Sequence, residues 1–192
     1  FMGLVGSEMC IRDRFNANRA IITSGTTEAI NLVAHAWGRA NLSDGDAIIL
    51  TEMEHHSDIV PWQMLAQEMN IELRYVPVQK DLTLDMDLFE AAIDGAKLVC
   101  VVHISNVLGV CNPVEKIVEI AKQNGAKVLL DAAQSAPHQD IDFVALGADF
   151  MAFSAHKMCG PTGIGALLVS DEAFDEMQPF MGGGDMIETV SI

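Results

Sequence analysis

The chain has 192 residues, of which 50% are hydrophobic, and a formal net charge of −16. That length allows one domain with a core, and that apolar content excludes a disordered chain. The acidic balance argues against nonspecific nucleic-acid binding, which needs clustered Lys and Arg, and no apolar run reaches the roughly 18 residues of a membrane helix.

The first 19 residues, opening "FMGLVGSEMCIRDRF", do not read like the rest. They lack a basic start followed by a long apolar stretch, so they are no signal peptide, and they are expected to be foreign or artefactual. From Ala20 onward strand and helix alternate. "RAIITSG" reads as a strand running into a turn, and "TTEAINLVAHAWGRA" as a helix with Ile30, Val33, Ala34 and Trp37 at helical spacing. "AIIL" is an apolar strand leading to "TEMEHH", "VPWQMLAQEMN" a helix with Pro61 in its first turn, and "IELRYVPV" an alternating strand. "DMDLFEAAIDG" is a helix with an acidic start and a glycine stop. "AKLVCVVHIS" is a buried strand, and "PVEKIVEIAKQNG" a helix opened by Pro113 and closed by Gly125. "AKVLLDAAQ", "ADFMAFSAHK" and "GIGALLVS" read as further strands.

This order, with continuous apolar strands, predicts an α/β fold: three αβα layers around a mostly parallel sheet. Ligands of such sheets bind beyond the carboxyl ends of the strands. The strands end at "ITSG", "MEHH", "HISN", "LLDAAQ" and "FSAHK", and the chemically notable residues fall there.

Each residue has a plain structural reading beside the functional one. Asp131 ends a buried strand; it can cap a turn, or pair with a protonated pyridine nitrogen in low dielectric. Gln134 follows with an amide that can meet a ligand oxygen. Thr26 and Thr27, after Gly25, suit an ordinary helix start or a phosphate site. His55 and His56 are paired, but neither H-E-x-x-H nor a Cys/His ligand set accompanies them, so no metal site is expected. An imidazole stacked on an aromatic ligand is the better functional reading for His55. Asn106 is a turn residue or a donor to a ligand. In "FSAHK", strand alternation places Ser154 and His156 on one face and Lys157 on the other, with the alternation free to relax at the strand end. A lone lysine is by default exposed; in a desolvated cleft its pKa falls and the amine becomes the nucleophile that Schiff-base chemistry needs. The glycines of "GPTGIG" follow the lysine, so a nucleotide loop does not fit. Phosphate donors, an acid, a stacking His and a Schiff-base Lys together describe a pyridoxal phosphate (PLP) site.

"SGTTEAINLVA", "MEHHSDIVPWQ", "HISNVLG", "DAAQS", "FSAHKMCGPTGIG" and "GGGDMIETVS" closely resemble cysteine desulfurases of the SUF type, which are class V aminotransferase-like, fold-type I PLP enzymes. The resemblance runs in unbroken order from about residue 20 to residue 192. It implies that Lys157 binds the cofactor aldehyde and later shuttles protons, that Asp131 holds the pyridine nitrogen protonated and that His55 stacks on the ring. It further implies that Gln134, with Asn106 nearby, contacts the ring's phenolic oxygen. Thr27, Ser154 and His156 would bind the phosphate, with Thr26 beside them. The implied reaction takes L-cysteine to L-alanine and leaves sulfur as a persulfide for a sulfur-acceptor protein in iron–sulfur cluster assembly. Relatives also act on selenocysteine, and a homodimer is implied.

The chain also departs from the family. Ala155 stands where the family has Gly, which requires a negative φ, and Met158-Cys159 where Leu-Tyr is common. The family's persulfide-forming cysteine and carboxylate-binding arginine belong to a part further downstream, and none of Cys10, Cys100, Cys111 or Cys159 lies in the catalytic cysteine's motif. With no C-x-x-C spacing, the four read as reduced thiols of a cytoplasmic protein. Residues 20–192 are therefore expected to be a partial PLP-binding large domain lacking the C-terminal small domain, able at most to bind PLP weakly.

Overall fold

The computed structural model describes residues 2–182, with side chains from residue 8. The "GGGDMIETVS" motif therefore lies almost wholly outside the described residues. In chain order the elements are α1 (Met2–Phe15), β1 (Arg19–Thr23), α2 (Thr26–Leu32), a π-helical stretch Val33–Gly38, α3 (Arg39–Asn41), β2 (Ala47–Thr51), a 3-10 turn His56–Asp58, α4 (Val60–Met69), β3 (Glu72–Val76), α5 (Met86–Ala92), β4 (Ala96–Val102), α6 (Val114–Gln123), β5 (Lys127–Asp131), α7 (Phe143–Leu146), β6 (Phe150–Ser154), a 3-10 turn Ala155–Met158, β7 (Gly165–Val169) and α8 (Asp171–Asp175).

The seven strands among the described residues join one sheet in the order β1-β7-β6-β5-β4-β2-β3. The pairings from β6 through β5, β4 and β2 to β3 are parallel, and β7 runs antiparallel to both neighbours. The sheet is thus mostly parallel, as expected from runs of Val, Ile and Leu with both faces buried. Alternate residues feed two cores. Val99, Val101, Val128, Leu130, Met151, Phe153 and Leu168 pack on one face with Phe89 of α5 and Ile117 of α6. Ile48, Leu50, Leu98, Leu129, Phe150 and Leu167 pack on the other with Ile30, Trp37 and Trp62. This is the three-layer αβα arrangement.

Local chemistry sets the helix ends. The Asp85 side chain accepts from Leu88 N–H at the start of α5, Asp142 does the same for Ala145 in α7, and Ser170 for Ala173 in α8. Residues 1–19, for which no element was expected, contain α1. Phe15 from its end is 1% exposed in the core, with its ring 4.9 Å from that of Phe153. The helix expected over "TTEAINLVAHAWGRA" forms, but its middle third is π-helical.

The "FSAHK" segment differs from expectation. The strand ends at Ser154, and Ala155–Met158 turns as a 3-10 helix closed by Gly160 N–H to Ala155 O at 2.8 Å. Period-2 alternation stops there, so Lys157 is not on the face opposite Ser154 and His156. Ala155 is not among the described non-glycine residues with positive φ, so its methyl group costs no backbone strain.

One glycine is demanded by close approach. A Cβ on Gly165 would lie 2.5 Å from Gly25 Cα and 2.6 Å from Phe153 O, both backbone atoms that cannot swing away. Gly165→Ala is expected to destabilise the fold by roughly 1–3 kcal/mol through overpacking, read as a lower urea midpoint at unchanged m-value. An unchanged midpoint would show that β1 and β7 are not held this closely.

Candidate active site

The carboxyl ends of β1, β2, β4, β5 and β6 surround a cavity of about 200 Å³, with the first residue of β7 on the same edge of the sheet. Its lining is Thr26, Thr27, His55, Ser57, Val102, Asn106, Asp131, Ala133, Gln134, Ser154, His156 and Lys157. All nine residues singled out from the sequence are brought together here. Ser57, Val102 and Ala133 were missed.

The helix start at Thr26 forms the hydroxyl-rich side. Ser154 Oγ accepts from Thr26 N–H at 2.8 Å and shares a hydrogen bond with Thr26 Oγ1 at 2.7 Å. Thr26 and Ser154 are both buried, so this contact ties the end of β6 to the start of α2. Thr27 Oγ1 meets Ser57 Oγ at 2.9 Å, and Ser57 Oγ meets His55 Nδ1 at 2.8 Å. Ser57 N–H also donates to His55 Nδ1, at 3.1 Å. This chain of contacts orients the His55 ring. Its sequence signal was weak: a serine two residues after a histidine in a turn.

Asp131 sits at the end of β5 and is 3% exposed. Its Oδ1 accepts from Ala133 N–H at 2.8 Å, an Asx turn that sends the chain toward Gln134. Burial pushes its carboxyl above the usual range, while the Ala133 N–H and then the charges of Lys157 and His55 pull it back down. Lys157, half-buried in the 3-10 turn, and His55 thus supply positive charge to Asp131. Asn106 is exposed at the tip of the turn between Ser105 and Gly109, closed by Gly109 N–H to Ser105 O at 2.9 Å. His156 is exposed at the rim, and His56 is exposed and off the lining.

None of the four cysteines lines the cavity. Cys100 is enclosed in the core, and burial pushes its thiol well above its usual value. Cys159 is exposed, follows Lys157 by two residues, and takes the left-handed conformation that ends the turn (φ 60°). Among the described residues no group of three or more His, Cys, Asp or Glu side chains is arranged to hold a metal ion.

Behind the cavity lie two more buried acids. Desolvation, outweighing its hydrogen bonds, pushes Glu54 up to about 8, and burial and the neighbouring charges of Glu54 and Asp131 push Asp58 up as well. The folded state therefore holds protons that the unfolded chain releases near the usual carboxylate range. Their contribution to stability is full below that range and is lost as pH rises through about 8 for Glu54. Exposed carboxylates held low by hydrogen bonds, such as Asp171 and Asp142, act oppositely and only at acid pH. The thermal midpoint is expected to fall between about pH 6 and about pH 9, with a smaller fall in Glu54→Gln; a midpoint that rises over that window would contradict the buried-acid assignment.

Comparison with known proteins agrees with this geometry. The chain matches the aminotransferase class-V family over residues 7–192. It is 52% identical over 173 residues to a probable cysteine desulfurase of Halalkalibacterium halodurans, covering 90% of this chain and 43% of that relative. It superposes with TM-score 0.92 and 43% identity on the apo cysteine desulfurase of Thermococcus onnurineus NA1, covering 97% of this chain and 47% of that one. A variant of C-DES with glycine covalently linked to its PLP cofactor superposes with TM-score 0.84 at 27% identity, covering 92% of this chain and 48% of that one. The chain spans less than half the length of these relatives. With a fold, a cavity and a sequence match that all lead to the same group, the chain belongs to the aminotransferase class-V family.

Proposed function

We propose that this chain is the PLP-holding part of a cysteine desulfurase. The observation that carries the reading is one cavity in which Lys157 and His55 act on a buried Asp131 beside a hydroxyl-lined helix start. The donor set fits PLP. Asp131 is desolvated and has only Oδ1 engaged by a described protein donor, so it suits a protonated ring nitrogen. Val102 and Ala133 give apolar wall, and His55 gives a flat ring already oriented by Ser57. Gln134 and Asn106 offer amides to the ring's phenolic oxygen. Thr27, Ser154 and His156 would hold the phosphate, with Thr26 fixing Ser154 in place.

PLP, when bound, supplies an electrophilic aldehyde and an aromatic electron sink. Lys157 Nζ, half-buried on the cavity wall, would hold that aldehyde. The same Nζ would move the proton at the substrate's α-carbon. Asp131 would keep its charge against the ring nitrogen.

The substrate we propose is L-cysteine, converted to L-alanine, with the sulfur passed to an acceptor protein for iron–sulfur cluster assembly. This rests on the names of the relatives and, for the SUF type, on the quoted motifs. Residues 20–192 would be a partial large domain, and the family match from residue 7 extends it back into α1. The working enzyme would be a cytoplasmic homodimer; no described helix is long and apolar enough to cross a membrane. Because no cysteine and no arginine lines the cavity, the groups that take the sulfur and bind the substrate carboxylate would lie outside this lining. The 192-residue chain is thus expected to bind PLP without desulfurating cysteine.

Adding PLP to the folded chain should give the yellow absorbance of a lysine-bound cofactor, and Lys157→Ala should lose it. Asp131→Asn should weaken binding about 10- to 100-fold, the worth of a charge-assisted hydrogen bond of ~1.5–3 kcal/mol. No absorbance from a chain with native circular dichroism, or full retention in Lys157→Ala, would overturn the reading.

A further inference from the structure

Glu54 and Asp58 flank His55 in the loop between β2 and α4, yet neither lines the cavity. Both turn inward: Glu54 is 7% exposed and Asp58 0%. Glu54 Oε1 accepts from Thr51 Oγ1 at 2.6 Å and from Val102 N–H at 3.0 Å, joining the ends of β2 and β4. Asp58 Oδ1 accepts from the Trp62 indole N–H at 2.9 Å. The other two oxygens, Glu54 Oε2 and Asp58 Oδ2, are sealed from solvent and meet no donor among the described residues. Leaving two buried acceptors unsatisfied is unfavourable, and more so if they are charged.

The two carboxyl groups act on each other, and each keeps one unpartnered oxygen shut inside the same loop. Two ionised carboxylates have no hydrogen to share. One proton between them satisfies both free oxygens at once and removes a like-charge clash in a low-dielectric site. The titratable groups acting on the pair are Asp131 from β5 and, facing it from β4, the Cys100 thiol; no cationic side chain is among them. The negative charge of Asp131 therefore drives the proton onto the deeper pair and stays itself on the cavity wall.

We propose that Glu54 and Asp58 share one proton and act as a latch, a positioning pair that closes the loop over its ends and fixes the His55 ring on the cavity. The pair touches no ligand. Its effect is exerted through His55 and rests on the proposed function only in giving that ring a cofactor to meet. When the pair loses its proton, two adjacent negative charges replace the hydrogen bond and the loop is released.

The test uses the chain without cofactor in a Trp37→Phe background, so that Trp62, the second of two tryptophans, reports alone. Trp62 fluorescence should show one transition near pH 8, where Glu54 is pushed, and the His55 ring resonance in NMR should change with the same midpoint. Glu54→Gln keeps a donor for Asp58 but has no proton to lose, and Asp58→Asn keeps an oxygen for Trp62. Both should abolish the transition with circular dichroism unchanged. Above the midpoint, PLP affinity of the parent should fall relative to Glu54→Gln by roughly tenfold per pH unit. A parent without a transition, a transition that survives in both variants, or a Trp62 transition to which His55 is silent would overturn the latch. If the transition and the His55 response appear but PLP does not bind at any pH, the proposed function falls and the latch stands.

Discussion

The cavity depends on one backbone contact. Gly165 at the start of β7 lies so close to Gly25 and to Phe153 O that no side chain can stand there. Because β7 runs antiparallel between β1 and β6, its first residue is level with the last residues of both, Thr23 and Ser154. The bare backbone lets those ends converge, and convergence brings Thr26 N–H onto Ser154 Oγ. The helix start, the end of β6 and the turn bearing Lys157 are then held as one rigid rim. A looser junction would leave the same residue types on the sheet edge without a common cavity.

The second constraint is the cost of burying acids at the carboxyl edge of a covered sheet. Glu54, Asp58 and Asp131 all lie there, and desolvation is the largest influence on each. They are relieved differently. Asp131 faces the cavity and the charges of Lys157 and His55, so it can carry a negative charge. Glu54 and Asp58 have only hydrogen-bond donors and each other. The gradient from proton-holding acids inside to a charged acid on the wall gives the cavity one well-placed anion opposite one amine, the polarity a cationic aromatic ring with an aldehyde requires.

Much of this was legible in the sequence, for definite reasons. Strands buried on both faces appear as runs such as "LVCVV", and polar residues at their ends stand out against them, so Asp131, Asn106 and Ser154 could be found. The rule that ligands sit beyond carboxyl ends then gathered the nine site residues. The position of Lys157 relative to Ser154 was misread because a four-residue 3-10 turn has no sequence period that separates it from a strand end. Helix α1 was missed because its residues show no clear apolar stripe. Ser57 looked like any turn serine, and its role arises only from contacts with Thr27 and His55. The burial of Glu54 and Asp58 was invisible because acidic residues beside a histidine read as surface; only the folded chain turns them inward.

The central claim is that Lys157 is the amine the cavity presents to an aldehyde. It is tested most directly by mixing the chain with PLP, reducing with borohydride, and mapping the label by mass spectrometry. The account predicts that of six lysines, Lys80, Lys97, Lys116, Lys122, Lys127 and Lys157, the label falls on Lys157. A label spread over the other five, or absent from Lys157, would contradict it.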